Sequence, residues 1–480
     1  MRSGRFLIYC LISVALIAGG LPCACAQTPK AKITVLHGNH RSGKRTDAEM
    51  NKWRTYGLGQ FIHWGLYSIP GGAWNGQQYD GAAEWIKSWN KVSKTAYDSL
   101  MYRFNPVNFN PDAWATTASQ MGVKYVTITT KHHDGFCLWP SAYTDFTVAH
   151  SPYKKDIIGE LVQAYNRKHI DVVLYFSVMD WHNPDWRYEI KTKDDSIAFE
   201  RFKTFTKNQL EELLQRYPTI KGFWFDGTWD KGWTQQGAWA YELEQQLRKL
   251  HPGLIIGSRF HADEFGKRHF DINNQLIGDY EQGWERKIPN QITDVHGNDW
   301  ECVMTIPENM WGYSKVWSGH IKTGDELIEM MARCASLDGN FVLNFGPKPD
   351  GTLRKEETDR AAAIGNWMKI NGIAIYNCSY AGFEKQDWGY FTKSRTDTAK
   401  VNMLVFNVPI SGALRVKIPA NKTIKRAYLL SAPATTFTPE HITGNEYFIH
   451  LKKEPHAQPF TIVLETMQTA KKTATEKAKT

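Results

Sequence analysis

The sequence predicts a (β/α)8-type barrel followed by a C-terminal β-sandwich, and three observations carry that prediction. Between residues 49 and 372, short β-rich apolar runs alternate with amphipathic helical stretches, the pattern of a parallel sheet covered by helices. There are eight of these runs, and seven of them lead into polar residues, which in a barrel converge on one face. Past residue 373 the alternation stops, and short strands follow one another between turn residues.

The elements follow in chain order. Residues 1–26 carry Arg2 and Arg5, a short apolar run and the small-residue site Ala24-Cys25-Ala26. They read as a secretory signal peptide cleaved before Gln27, which predicts an exported protein, periplasmic or secreted. A lipid anchor at Cys23 or Cys25 is the weaker alternative, because the residues before each suit lipidation poorly. No later span is apolar enough to cross a bilayer. Residues 27–48 form a polar, loose lead-in.

Within the barrel, the strand candidates are "GQFIHWG", "KYVTITTK", "DVVLYFSV", "GFWFDG", "GLIIGSR", "LIGDYE", "ECVMTI" and "NFVLNFG". "DIIGELVQAYNRKH", "AFERFKTFTKNQLEELLQRY" and "WAYELEQQLRKL" supply helices between them, the last with Leu243, Leu247 and Leu250 at helical spacing. An open doubly wound sheet would share the alternation, but it calls for a phosphate-binding glycine fingerprint after the first strand. "FIHWGLYS" is no such fingerprint. In the sandwich, residues 373–468, "VNMLVFNVP", "ALRVKIPA", "IKRAYLLS" and "EYFIHL" read as strands. The low-complexity tail 469–480 is expected to be disordered.

Composition narrows the function. The net charge of +9 is spread out, without a basic stripe interleaved with aromatics, which argues against a nucleic-acid partner. The 19 tryptophans, several close to His and Asp, suit stacking on the apolar faces of sugars. Outside the leader the cysteines are Cys137, Cys302, Cys334 and Cys378. Four are too few for a disulfide scaffold, their pairing stays open, and without a CxxC no zinc–thiolate site is expected.

The candidate chemistry sits at the strand ends: His63, His132, Asp180, Asp226, Arg259, Asp279 and Asn344. Asp226 closes the aromatic strand "GFWFDG", a rigid platform suited to a nucleophile, whose attack geometry must be preset. A retaining glycosidase needs a second carboxyl group roughly 5–5.5 Å away. The stretch "GDYEQGWERKIP" offers Asp279, Glu281 and Glu285 on an expected loop, beside Trp284. In "KHHDGFCLW", His132 and His133 are neighbours, so only one can face the barrel interior unless the strand has already bent. With Asp134 they suggest a metal set, but the spacing matches no zinc motif, and neutral His bonding to sugar hydroxyls fits the aromatic surroundings better. Glu84, Trp85, Tyr175 and Trp229 complete the ring of candidates.

"GLGQFIHWGLYSIP", "YVTITTKHHDGFCLWPS", "GFWFDG" and "GNFVLNFGPKPDG" together resemble the α-L-fucosidases of glycoside hydrolase family 29, from about Trp53 to Gly351. The resemblance implies a catalytic barrel with a C-terminal β-sandwich, hydrolysis of terminal α-L-fucose with retention, and no cofactor or metal. It implies fucosylated oligosaccharides or glycoconjugates as partners, and an oligomer is compatible with it. By the same resemblance Asp226 is the nucleophile, and His63, Glu84, Trp85, His132, His133, Tyr175, Trp229 and Arg259 bind the sugar. The acid/base is harder to carry over, because the family's "TPE" run is replaced by "EQGWERKIP". Counting back from Ile288-Pro289 selects Glu285, and counting forward from Asp279 keeps Glu281 as the alternative. Two competing expectations are a non-catalytic fucose-binding protein on a decayed barrel and a glycosidase for another sugar.

Overall fold

The computed structural model describes residues 44–79, 81–451 and 459–468. The expected signal peptide, most of the lead-in and the tail lie outside them. β1 (Leu58–Ile62) opens the barrel, and a small hairpin, β2 (Ala73–Trp74) and β3 (Gln77–Gln78), follows it. Next come β4 (Tyr125–Lys131), β5 (Asp171–Ser177), β6 (Gly222–Asp226), β7 (Ile255–Ile256), β8 (Glu281–Glu285), β9 (Trp300–Thr305) and β10 (Asn340–Phe345). Among the described residues these eight long-range strands pair in parallel in the order β7-β6-β5-β4-β1-β10-β9-β8. No strand ladder joins the edges β7 and β8. The backbone bridges that seam instead, with Asp279 N–H donating to Ile256 O at 2.9 Å and Ser258 N–H to Tyr280 O at 3.0 Å. The predicted barrel is therefore present, with one irregular closure.

Strand alternation divides the apolar residues into two layers. Leu58, Ile128, Leu174, Phe223, Phe225 and Leu343 pack outward with the covering helices. Phe61, Tyr125, Tyr175, Trp224 and Val342 form a separate cluster inside the sheet. The helices begin where the sequence supplies caps: Asn110 for Pro111–Met121, Asp156 for Ile157–Arg167, and Thr192 with Asp195 for Lys193–Arg216. Gly237–Leu250, Gly324–Ser336 and Lys355–Asn371 complete the main helical cover.

Two expectations change. The predicted strand "LIGDYE" is displaced, and the observed strand is Glu281–Glu285, so the acidic segment read as a loop is a strand. Its interior is not an apolar run, and pairing with β9 through an irregular register holds it extended. Asp279 then precedes the strand instead of ending it, and sits at the opposite end of the barrel from Asp226. There its carboxylate accepts from Arg45 at 2.6 Å, Arg248 at 2.8 Å and the Ile256 N–H at 2.9 Å. The end of the lead-in is thus anchored through Arg45, not loose.

After Lys355–Asn371 the chain turns antiparallel. β11 (Cys378–Tyr380), β12 (Gly389–Ser394), β13 (Lys400–Val405), β14 (Ala413–Lys417), β15 (Lys422–Leu429), β16 (Ala432–Phe437), β17 (Pro439–Thr443), β18 (Glu446–His450) and β19 (Phe460–Gln468) follow. They form sheets ordered β11-β12-β13-β19-β15-β16 and β14-β18-β17. Met403 and Val405 of one sheet pack with Leu414, Val416 and Ile449 of the other, a sandwich core. Cys137, Cys302, Cys334 and Cys378 are buried free thiols.

Candidate active site

The C-terminal ends of β1, β4 and β6, with the segments that follow β7 and β9, surround a cavity of about 240 Å³. It is smaller than the ~300–1,000 Å³ of sites for drug-sized ligands, and is on the scale of one sugar. His63, Glu84, Trp85, His132, His133, Asp226, Trp229, Arg259 and Glu285 line it. Tyr175 lies behind them, and Glu281 and Asp180 do not line the cavity. Asp180 is a buried structural carboxylate, 3.0 Å from Lys131 Nζ.

β6 presents Asp226 because alternation puts Phe223 and Phe225 against the helices and turns Trp224 and Asp226 inward. Gly227 then takes the chain away at φ +69°, where a Cβ would come within 2.5 Å of Met179. Both Asp226 oxygens are engaged: Tyr175 donates its hydroxyl to Oδ2 at 2.9 Å, and Arg259 donates to Oδ1 at 2.8 Å. Burial pushes this carboxyl up, but Arg259 and the Tyr175 hydroxyl help bring it below the usual carboxylate range. Arg259 itself lies over the face of Trp224, 4.6 Å from its centroid, and donates through Nε to Gln282 O at 3.2 Å. Its other terminal nitrogen donates to Glu285. One guanidinium therefore spans Asp226 and Glu285 and holds both carboxyl groups at the same cavity.

The histidines are set as neutral ligands. Burial brings His63 and His133 down to about 4 and His132 well below its ordinary value. His63 Nδ1 lies 2.6 Å from Asn344 Oδ1, so Nδ1 carries the proton and Nε2 is left as an acceptor. Asn344 is fixed in turn by donating to Trp311 O at 2.7 Å. His133 Nδ1 lies 2.6 Å from Ser177 Oγ, whose own hydroxyl donates to Met179 O. Nε2 of His133 thus faces Asp226 at 3.7 Å, two acceptors that a ligand hydroxyl can serve. Both neighbouring histidines reach the cavity because β4 ends at Lys131 and the chain turns, Gly135 N–H donating back to His132 O. That satisfies the bend which adjacent side chains require.

Two polar atoms in the wall have no protein partner among the described residues: His132 Nδ1 and Glu84 Oε1. Burial raises Glu84 to about 7, and its other oxygen accepts from the Gly312 N–H at 3.1 Å. Buried polar groups are ordinarily hydrogen-bonded, so these two atoms leave bonding capacity open in the cavity wall. His132, His133 and Asp226 also offer ligand atoms within 4.8 Å of one another. A metal ion there would sit beside the Arg259 cation on the same carboxylate, and like charges repel. Asp134, the acid suspected from sequence, is turned away and accepts from Tyr97 at 2.9 Å.

Sequence reasoning missed Trp89, Arg286 and Trp311 in the wall, and Phe61 and Trp224 at its base. The last two lie in strand runs already identified, where inward alternation could have found them. Trp89 and Trp311 carry no signal beyond being tryptophans near motifs.

A family model described as Alpha-L-fucosidase matches residues 26–373. The chain is 30% identical over 335 residues to the tissue alpha-L-fucosidase of Rattus norvegicus, covering 66% of this chain and 68% of that one. It is also similar to a solved family 29 alpha-L-fucosidase from Bacteroides thetaiotaomicron, at 53% identity and TM-score 0.89, covering 91% and 98% of the two chains. A trapped covalent intermediate of a fucosidase from that organism, in complex with 2-fluoro-fucosyl fluoride, matches at 53% identity and TM-score 0.89, covering 91% and 100%.

Proposed function

The chain belongs to the α-L-fucosidases of glycoside hydrolase family 29, and from that premise we propose a role for each group in the pocket. The enzyme releases terminal α-L-fucose from fucosylated glycans with retention, by a two-step covalent route. In the first step Asp226 Oδ attacks the anomeric carbon while Glu285 gives its proton to the departing glycosidic oxygen. In the second, Glu285 takes a proton from water, and the resulting hydroxide equivalent displaces Asp226 from the anomeric carbon. His63, His132, His133 and Glu84 hold the fucose hydroxyls, and Trp85 and Trp229 wall the ring.

The observation that carries this reading is the single guanidinium of Arg259 between Asp226 and Glu285. It supports an ionised nucleophile and keeps the second carboxyl on the same side of the cavity. The Arg259–Glu285 contact of the empty pocket has to open for that carboxyl to reach the glycosidic oxygen. Glu281, the alternative, is buried at the start of β8 away from the cavity, where burial raises it to about 7. Azide rescue separates the two. Glu285→Ala should lose turnover of an aryl fucoside and recover it with azide, releasing a fucosyl azide, while Glu281→Ala should need no rescue. Rescue confined to the Glu281 variant would reverse the assignment.

The N-terminal sequence supports export to the periplasm or medium, and sequencing of the mature chain, expected to start at Gln27, checks it. Among the described residues no helix is long and apolar enough to cross a membrane.

A further inference from the structure

The cavity walls grade from buried His63, His132 and Trp224 to two partly open indoles, Trp229 at 38% exposure and Trp89 at 53%. An exposed aromatic ordinarily keeps its rotamer freedom, but Trp89 is fixed on two sides. It stacks on Trp85 with centroids 5.7 Å apart and planes at 23°, and Trp85 stacks on Trp229 at 5.9 Å and 24°. Its Cε3–Cζ3 edge rests on Gly81, where a Cβ would come within 1.8 Å of Cζ3. Any side chain at position 81 would occupy the place of the ring. Trp85, not Trp89, is the indole that meets His133, at 5.1 Å.

A held, half-exposed indole in the wall of a one-sugar pocket is placed to meet an occupant. Resting on the exo-fucosidase reading above, the terminal sugar fills the cavity, so whatever is joined to its anomeric carbon leaves through the mouth. A pyranose offers a patch of C–H groups that matches an indole face. We propose that Trp89, seated by Gly81, is the platform on which the leaving-group sugar stacks.

Two substrates test this. α-L-Fucosyl fluoride has a one-atom leaving group, and a fucosylated disaccharide carries a pyranose there. kcat/KM covers the steps up to departure of the leaving group, so the comparison isolates the platform. Trp89→Ala should lower kcat/KM about fivefold to tenfold more on the disaccharide than on the fluoride. Trp89→Phe should restore most of the loss, and Gly81→Ala, which displaces the ring without removing it, should reproduce the Trp89→Ala pattern. Equal losses on both substrates, or no loss on the disaccharide, would overturn the proposal. Turnover of the fluoride by the unaltered enzyme reports the fucosidase chemistry alone, so failure of the platform is distinguishable from failure of that reading.

Discussion

The two ends of the barrel handle buried carboxylates in opposite ways. At the N-terminal end, Asp279 is held by Arg45 and Arg248, and Asp299 by Arg54 at 2.7 Å and Lys44 at 3.0 Å. Each acid there meets two cations, and those contacts tie the lead-in and a helix to the strand starts. At the C-terminal end Arg259 bridges two acids, with Arg286 a further 3.6 Å from Glu285, three histidines are neutral, and among the described residues Glu84 Oε1 and His132 Nδ1 have no protein partner. An unsatisfied buried polar group costs about 1–3 kcal/mol, a cost that a hydroxylated ligand in the cavity would offset. Paired cations distinguish the first end, and neutral or bridged groups distinguish the end that carries the candidate site.

The largest effect that would sharpen the contrast is at Asp226. Asp226→Asn keeps the shape of the side chain and leaves Glu285 to neutralise Arg259. Turnover of an aryl fucoside should fall by about four orders of magnitude or more, with Tm close to that of the unaltered enzyme. Retained turnover would remove Asp226 from the chemistry.

The mirror experiment is Asp279→Ala. It leaves the largely buried Arg45 and Arg248 without this partner, a loss of about 3–5 kcal/mol of the kind seen when buried ion pairs are broken. Tm should fall by about 5–10 °C, while kcat/KM of the folded enzyme stays within about threefold. A variant that kept its Tm and lost turnover would erase the distinction between the two ends.

Much of this was legible in the sequence, and the exceptions have physical causes. Apolar runs marked the strands because a parallel sheet is buried on both faces, and Asp226 stood out because it closes one of them. β8 was misplaced because "EQGWE" is extended by its neighbour β9 and not by its own pattern. That error carried Asp279 to the wrong end of the barrel. Arg45 and Trp89 were invisible for a related reason: their partners, Asp279 across 234 positions and the bare Cα of Gly81, are defined only by folding.

The smallest effect concerns the layer between the two ends. Glu301, inside the barrel, accepts from Tyr125 at 2.8 Å and from Trp224 Nε1 at 2.8 Å, and Trp224 carries Arg259 on its face. Burial raises Glu301 to about 7, from its ordinary 4.5. A raised folded value means the contribution to stability is fully present below the unfolded value, near 4.5, and is lost as pH rises through 7, by about 3 kcal/mol at most. Glu301→Gln removes the titration and keeps a hydrogen-bonding group, its oxygen toward the Trp224 N–H and its amide toward the Tyr125 oxygen. Measured against pH, the Tm of the unaltered enzyme should decline more steeply between pH 5 and 8 than that of the variant, with Glu84 contributing equally to both curves. Parallel curves would mean that Glu301 keeps one protonation state across this range, and the middle layer would then belong with the ion-paired end.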